Sequence, residues 1–95
     1  LNLFDFLPNQ EKAVATQKIM KGNSSVTLLQ LQKDATLAEH QSRVDALLVL
    51  LSGNVRYVEV DREVELTQQH DCVKIPAKVS HSLHGREDSV LLLIQ

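Results

Sequence analysis

The chain has 95 residues, with ten Lys and Arg against twelve Asp and Glu, a formal net charge of -2, and two Phe, one Tyr and no Trp. That length fits one small domain, residues 1–95, and leaves no room for a second catalytic one. The charge balance lacks the basic excess of a nucleic-acid binder, no local run of Lys or Arg supplies one, and so few aromatics offer no platform for stacked bases. No apolar run approaches a membrane span and the first residues carry no signal-peptide pattern, so the expected setting is cytoplasmic, with no membrane partner. Cys72 is the one cysteine, which excludes an internal disulfide.

Turn signals divide the chain at short intervals: Pro8-Asn9, Gly22-Asn23-Ser24-Ser25, Lys33-Asp34, Ser52-Gly53-Asn54, Asp61-Arg62, Pro76 and Gly85-Arg86. The segment 10–20 is ambiguous. Glu11, Lys12, Ala13, Ala15 and Gln17 are good helix formers, whereas Ala13-Val14-Ala15-Thr16 suits an edge strand; propensity alone favours helix. Residues 26–31 are β-branched and aliphatic and read as a strand. The run Ala46-Leu47-Leu48-Val49-Leu50-Leu51 is apolar on both faces, as is Val90-Leu91-Leu92-Leu93-Ile94, so each needs cover on both sides. A short buried helix competes with strand at these runs, but Ser52-Gly53 and the end of the chain cut them within two turns. Residues 55–60 alternate, with Val58 and Val60 on one face and Tyr57 and Glu59 on the other. Alternation resumes at Val64 and Leu66, which predicts a hairpin turning at Asp61-Arg62. Many short strands spaced by turns predict an all-β sandwich or barrel.

Three features follow one another in a fixed order: His40-Gln41-Ser42 before a strand, Gly53 closing that strand, and Ile75-Pro76-Ala77-Lys78-Val79-Ser80-His81 after the hairpin. This order resembles the two motifs of the cupin superfamily. The stretch His40-Gln41-Ser42-Arg43-Val44-Asp45-Ala46-Leu47 is similar to the first motif of small single-domain cupins. The resemblance covers about 26–94 and implies a double-stranded β-helix, or jelly-roll, barrel. It also implies that residues 13–20 form a strand, overriding the helix propensity there, and that the protein is a homodimer. Cupins commonly hold a divalent metal with three His and one Glu, and here the correspondence is partial. His40 matches the first ligand and His81 the last, Ser42 stands at the second His position, and the Glu position falls on Ala46 beside Asp45. His70 and Lys78 occupy the two Gly positions of the second motif.

Two imidazoles are fewer donors than usually hold a catalytic ion. The leading expectation is therefore a small-molecule binding barrel, with His40 and His81 as the candidate metal ligands and Ser42, Leu48, Leu50 and Leu83 lining an apolar pocket. The alternative is a metal-dependent enzyme of dioxygenase or isomerase type using Fe, Mn, Ni or Zn on His40 and His81, with Asp45 or water completing the set. A third is a structural or regulatory dimer with a filled interior. Each of His40 and His81 is equally compatible with lining a cavity or bonding a backbone group. By alternation from His81, His84 reads as solvated. His70 reads as a turn residue, Cys72 as a buried structural thiol, and Glu59, Glu63 and Glu65 as the solvated face of the hairpin opposite Arg56 or Arg62. Ser80 and His81 are adjacent in sequence and cannot act as a nucleophile–base pair on one strand face, and the three isolated glycines form no phosphate loop.

Overall fold

The computed structural model describes residues 1–8 and 11–95. Asn9 of the expected Pro8-Asn9 turn, and Gln10 at the start of the ambiguous segment, lie outside the described residues. A 3-10 turn, Leu3–Phe6, is capped by Asn2, whose side chain accepts from the Phe4 amide while Asp5 reaches back to the Asn2 amide. Among the described residues nine strands follow: β1 (Val14–Lys21), β2 (Ser25–Leu31), β3 (Thr36–His40), β4 (Ala46–Ser52), β5 (Val55–Glu59), β6 (Glu63–Leu66), β7 (Cys72–Ile75), β8 (His81–Gly85) and β9 (Ser89–Ile94). They form two antiparallel sheets, ordered β1-β2-β9-β4-β7 and β3-β8-β5-β6. This is the expected all-β jelly-roll architecture. No helix among the described residues is long and apolar enough to cross a membrane.

The two strands that are apolar on both faces are central in the five-stranded sheet and pair with each other, Leu48 opposite Leu93 and Leu50 opposite Leu91. Their inner faces meet Leu29 and Leu31 of β2, Val73 and Ile75 of β7, and Val55, Tyr57, Leu66 and Leu83 of the facing sheet. Each buried Leu contributes roughly 1.5–3 kcal/mol, so the aliphatic core carries the fold. Leu48, Leu50 and Leu83 therefore belong to this packed core.

Residues 14–21 form the strand that the resemblance implies there, because β1 ladders with β2 from Val14 opposite Leu31 to Lys21 opposite Ser25, and that hairpin overrides weak helix propensity. Two expectations are corrected. Val60 leaves the predicted alternating run and lies exposed in the β5–β6 loop, where the Glu59 amide donates to the Arg62 carbonyl at 2.8 Å. Cys72 is exposed rather than buried: the pleat of β7 sends Val73 and Ile75 inward, leaving Cys72 and Lys74 on the outer side of an edge strand.

Backbone strain marks the turns. Asp34 (φ 68°), His70 (φ 78°) and Lys78 (φ 65°) are left-handed without being Gly, and two of them are the positions where the motif resemblance places Gly. Left-handed backbone costs an L-residue roughly 1–2 kcal/mol. Gly53 has φ 102°, and a Cβ there would collide with the Ser89 hydroxyl and lie 2.6 Å from the Asp88 carbonyl oxygen. Lys78→Gly should raise stability by about 0.5–1 kcal/mol, the relief of strain being partly offset by a freer unfolded chain. Gly53→Ala should lower it by at least about 2 kcal/mol. Urea melts check both, and a Lys78→Gly variant less stable than the parent would refute the strain assignment.

Candidate functional site

His40 and His81 are register partners at the ends of β3 and β8, brought opposite each other by an irregularity in the ladder after Leu37. Their rings meet edge to face, with centroids 4.2 Å apart. His81 Nδ1 lies 3.0 Å from the Val79 carbonyl oxygen and His40 Nδ1 3.0 Å from that of Ala38. A carbonyl only accepts, so each bond places the proton on Nδ1 and leaves the Nε2 lone pair available. His40 is exposed and His81 is 4% exposed.

Behind this pair stands a polar relay supplied by β5 and its loop. Tyr57 stacks on His81 at 5.6 Å, and its hydroxyl donates to Glu59 Oε2 at 2.5 Å. Arg62 grips the same carboxylate with Nε at 2.9 Å and Nη2 at 2.8 Å, and Nη2 also donates to the Lys74 carbonyl at 2.6 Å. The loop of one sheet is thereby tied to the edge strand of the other. Arg62 also lies 5.6 Å over the Tyr57 ring. Glu59 is thus corrected: its side chain is only 9% exposed and faces inward, and just Glu63 and Glu65 lie on the solvated face, paired with Arg56 and Arg86. The available signal was the pleat itself, since Glu59 shares a face with Val55 and Tyr57. Mixed polarity along that face concealed it.

The remaining candidates are placed as follows. Ser42 Oγ bonds the Val44 carbonyl at 2.8 Å and Gln95 Oε1 at 2.9 Å, and lines a surface groove with Lys18, Lys21 and Arg43. Asp45 accepts from the Ala77 amide at 2.8 Å, and the Lys78 amide donates to the Ser42 carbonyl at 2.7 Å, so the loops before β4 and before β8 are clamped together. His70 sits in its turn. His84 lies on the outer side of the sheet between Thr36 and Ser82, with ring nitrogens 3.3 and 3.1 Å from their hydroxyls. Among the described residues no three His, Cys, Asp or Glu side chains converge to hold a metal. Two imidazoles alone do not fit a resident catalytic ion.

Burial pushes the His81 pKa below the usual imidazole value, and His40 adds to the shift, against the Val79 bond and the Glu59 charge. Arg62 is the main cause holding Glu59 below the ordinary carboxylate range, aided by Tyr57 and opposed by burial. Burial, then the Glu59 hydrogen bond and charge, raise Tyr57. At neutral pH the site therefore holds neutral His81, ionised Glu59 and protonated Tyr57. On acidification the unfolded chain binds a proton at position 81 before the folded one does. The stability due to neutral His81 is present above about pH 6.5 and is lost as pH falls through its depressed folded value. Urea midpoints should therefore be lower at pH 5.5 than at pH 7.5, and His81→Gln should flatten that difference; an unchanged pH slope in the variant would contradict the assignment.

No protein-family model matches the chain, and no curated protein matches it. Solved structures do. A cupin superfamily protein from Desulfitobacterium hafniense superposes with TM-score 0.88 at 20% identity, over 100% of this chain and 87% of that one. A cupin 2 conserved barrel domain protein from Leptotrichia buccalis gives 0.85 at 24% identity, over 99% and 46%. A cupin-2 domain containing protein from Shewanella frigidimarina gives 0.77 at 16%, over 97% and 86%. The architecture, strand order and these superpositions together establish that the chain has the fold of a small cupin domain.

Proposed function

We propose that this cupin barrel binds a small molecule at its His40–His81 end and does so without a resident metal. The observation that carries the reading is the matched pair of imidazoles, each with Nδ1 committed to a carbonyl two residues back and Nε2 left as an acceptor. With ionised Glu59 behind them, the pair presents an acceptor surface suited to a ligand with adjacent hydroxyl or amino donors. The Tyr57–Glu59–Arg62 relay holds that surface in one geometry before any ligand arrives, which lowers the ordering cost of binding.

The second reading, a metal-dependent dioxygenase or isomerase, draws on the same observation, because backbone carbonyls bonding the far nitrogen are also how metal-bound imidazoles are oriented. The shortage of donors counts against it. Ligand-observed NMR against a panel of small polyols and amino alcohols should find saturable binding that weakens at least about tenfold in His40→Ala/His81→Ala and persists after exhaustive chelation. Binding abolished by chelation and restored by Mn, Fe, Ni or Zn would overturn the metal-free reading in favour of the second.

A further inference from the structure

A second site is built without the histidine pair, at the end of β1. The pleat of β1 sends Val14 and Thr16 to the face shared with Leu31 and Leu29, the core side of the five-stranded sheet, and Lys18 opposite Thr27 continues that row. A regular strand would then aim Lys21 at the other face. The register shift between Lys18 and Met20 absorbs one residue, so Lys21, opposite Ser25, returns to the side of Lys18. Thr16, Lys18 and Lys21 are all exposed, so the facing sheet leaves this stretch of the inner face uncovered.

Arg43 enters from the loop between β3 and β4, and with both lysines it lines one groove of about 440 Å³ whose further walls include Ser24, Ser42 and Gln95. Three cations thus meet in a chain of net charge -2. No acidic side chain is among the lining residues, and among the described residues none of the three makes an ion pair. Like charges gathered without a counter-charge repel one another, and a bound anion relieves that repulsion.

We infer that this groove binds a small phosphate monoester, with the phosphoryl group on Lys18, Lys21 and Arg43 and a polar body along Ser24, Ser42 and Gln95. A phosphoryl group brings roughly 1.5–2 negative charges at neutral pH and three acceptor oxygens, enough to engage cations from β1 and from the β3–β4 loop at once. A carboxylate brings one charge and two oxygens in a plane, which a single arginine satisfies. The groove is larger than a phosphoryl group fills, and its further walls carry hydroxyl and amide groups, which suits an ester whose body is polar.

The test is amide NMR of the intact chain at fixed ionic strength, titrated with glucose 6-phosphate beside glucose, glucuronate and inorganic phosphate. Glucose 6-phosphate should bind saturably, at least about tenfold more tightly than glucose or glucuronate and about threefold more tightly than inorganic phosphate, with shifts centred on Lys21, Ser24 and Arg43. In Lys18→Gln/Lys21→Gln/Arg43→Gln that affinity should fall at least about tenfold. The three side chains are exposed, and unchanged core-methyl resonances show that the variant is folded. Glucuronate binding as tightly as glucose 6-phosphate would reduce the groove to a general anion patch, and glucose 6-phosphate binding no tighter than inorganic phosphate would leave an adventitious ion only; either result overturns the inference. So do the absence of saturable binding, full-strength binding in the folded variant, and shifts confined to His40 and His81, which would place the ligand at the histidine pair. Binding to phosphatidylglycerol vesicles in place of glucose 6-phosphate would assign the cations to a membrane surface and overturn it too.

Discussion

One strand face sets the character of the candidate site. β5 alternates strictly, so Val55, Tyr57 and Glu59 point to the same side, and along that short row the interior changes from aliphatic core to ionic relay. Tyr57 is the joint: its ring is fully buried among core residues, while its hydroxyl is spent on Glu59. A carboxylate this close to the interior is tolerable only because Arg62 grips both its oxygens and Tyr57 donates to one of them. Arg62 in turn reaches the Lys74 carbonyl, so the same interaction that compensates the buried charge also closes one side of the barrel.

The loops at this end are arranged around the same need. Asp45 capping the Ala77 amide and the Ser42 carbonyl receiving the Lys78 amide hold the segments after β3 and before β8 in contact. That contact accompanies the register pairing of His40 with His81, whose rings would otherwise hang from two independent loop ends. Left-handed Lys78 forms part of this clamp, so its backbone strain is balanced by hydrogen bonds that a relaxed turn would not make in the same place. The result is a pair of preset imidazoles rather than a flexible pair awaiting a ligand.

The barrel end thus carries two chemically opposite surfaces. The histidines carry the Nε2 acceptors, and the β1 side carries donors and positive charge. Both arise at places where the regular ladder is broken, one after Leu37 and the other between Lys18 and Met20. An irregularity of this kind re-aims side chains that a continuous strand would send elsewhere.

The strands, their central order of hydrophobicity and the barrel class were legible from residue pattern and motif order, because a strand apolar on both faces has few places to lie other than the middle of a covered sheet. Motif order singled out His40 and His81, while their pairing at one end comes from the register of β3 against β8. The solvated reading of Glu59, the buried reading of Cys72 and the missing cationic groove failed for a shared reason. Period two says which residues share a face but not which face turns inward, and β5, β7 and β1 each carry mixed polarity that leaves the choice open. Lys18, Lys21 and Arg43 are scattered along the chain, and only a shifted register and a loop from the other sheet bring them together. Local pattern determined the elements and their class. Tertiary packing decided which faces look inward and which distant charges meet, because both depend on register and contacts between strands far apart in the chain.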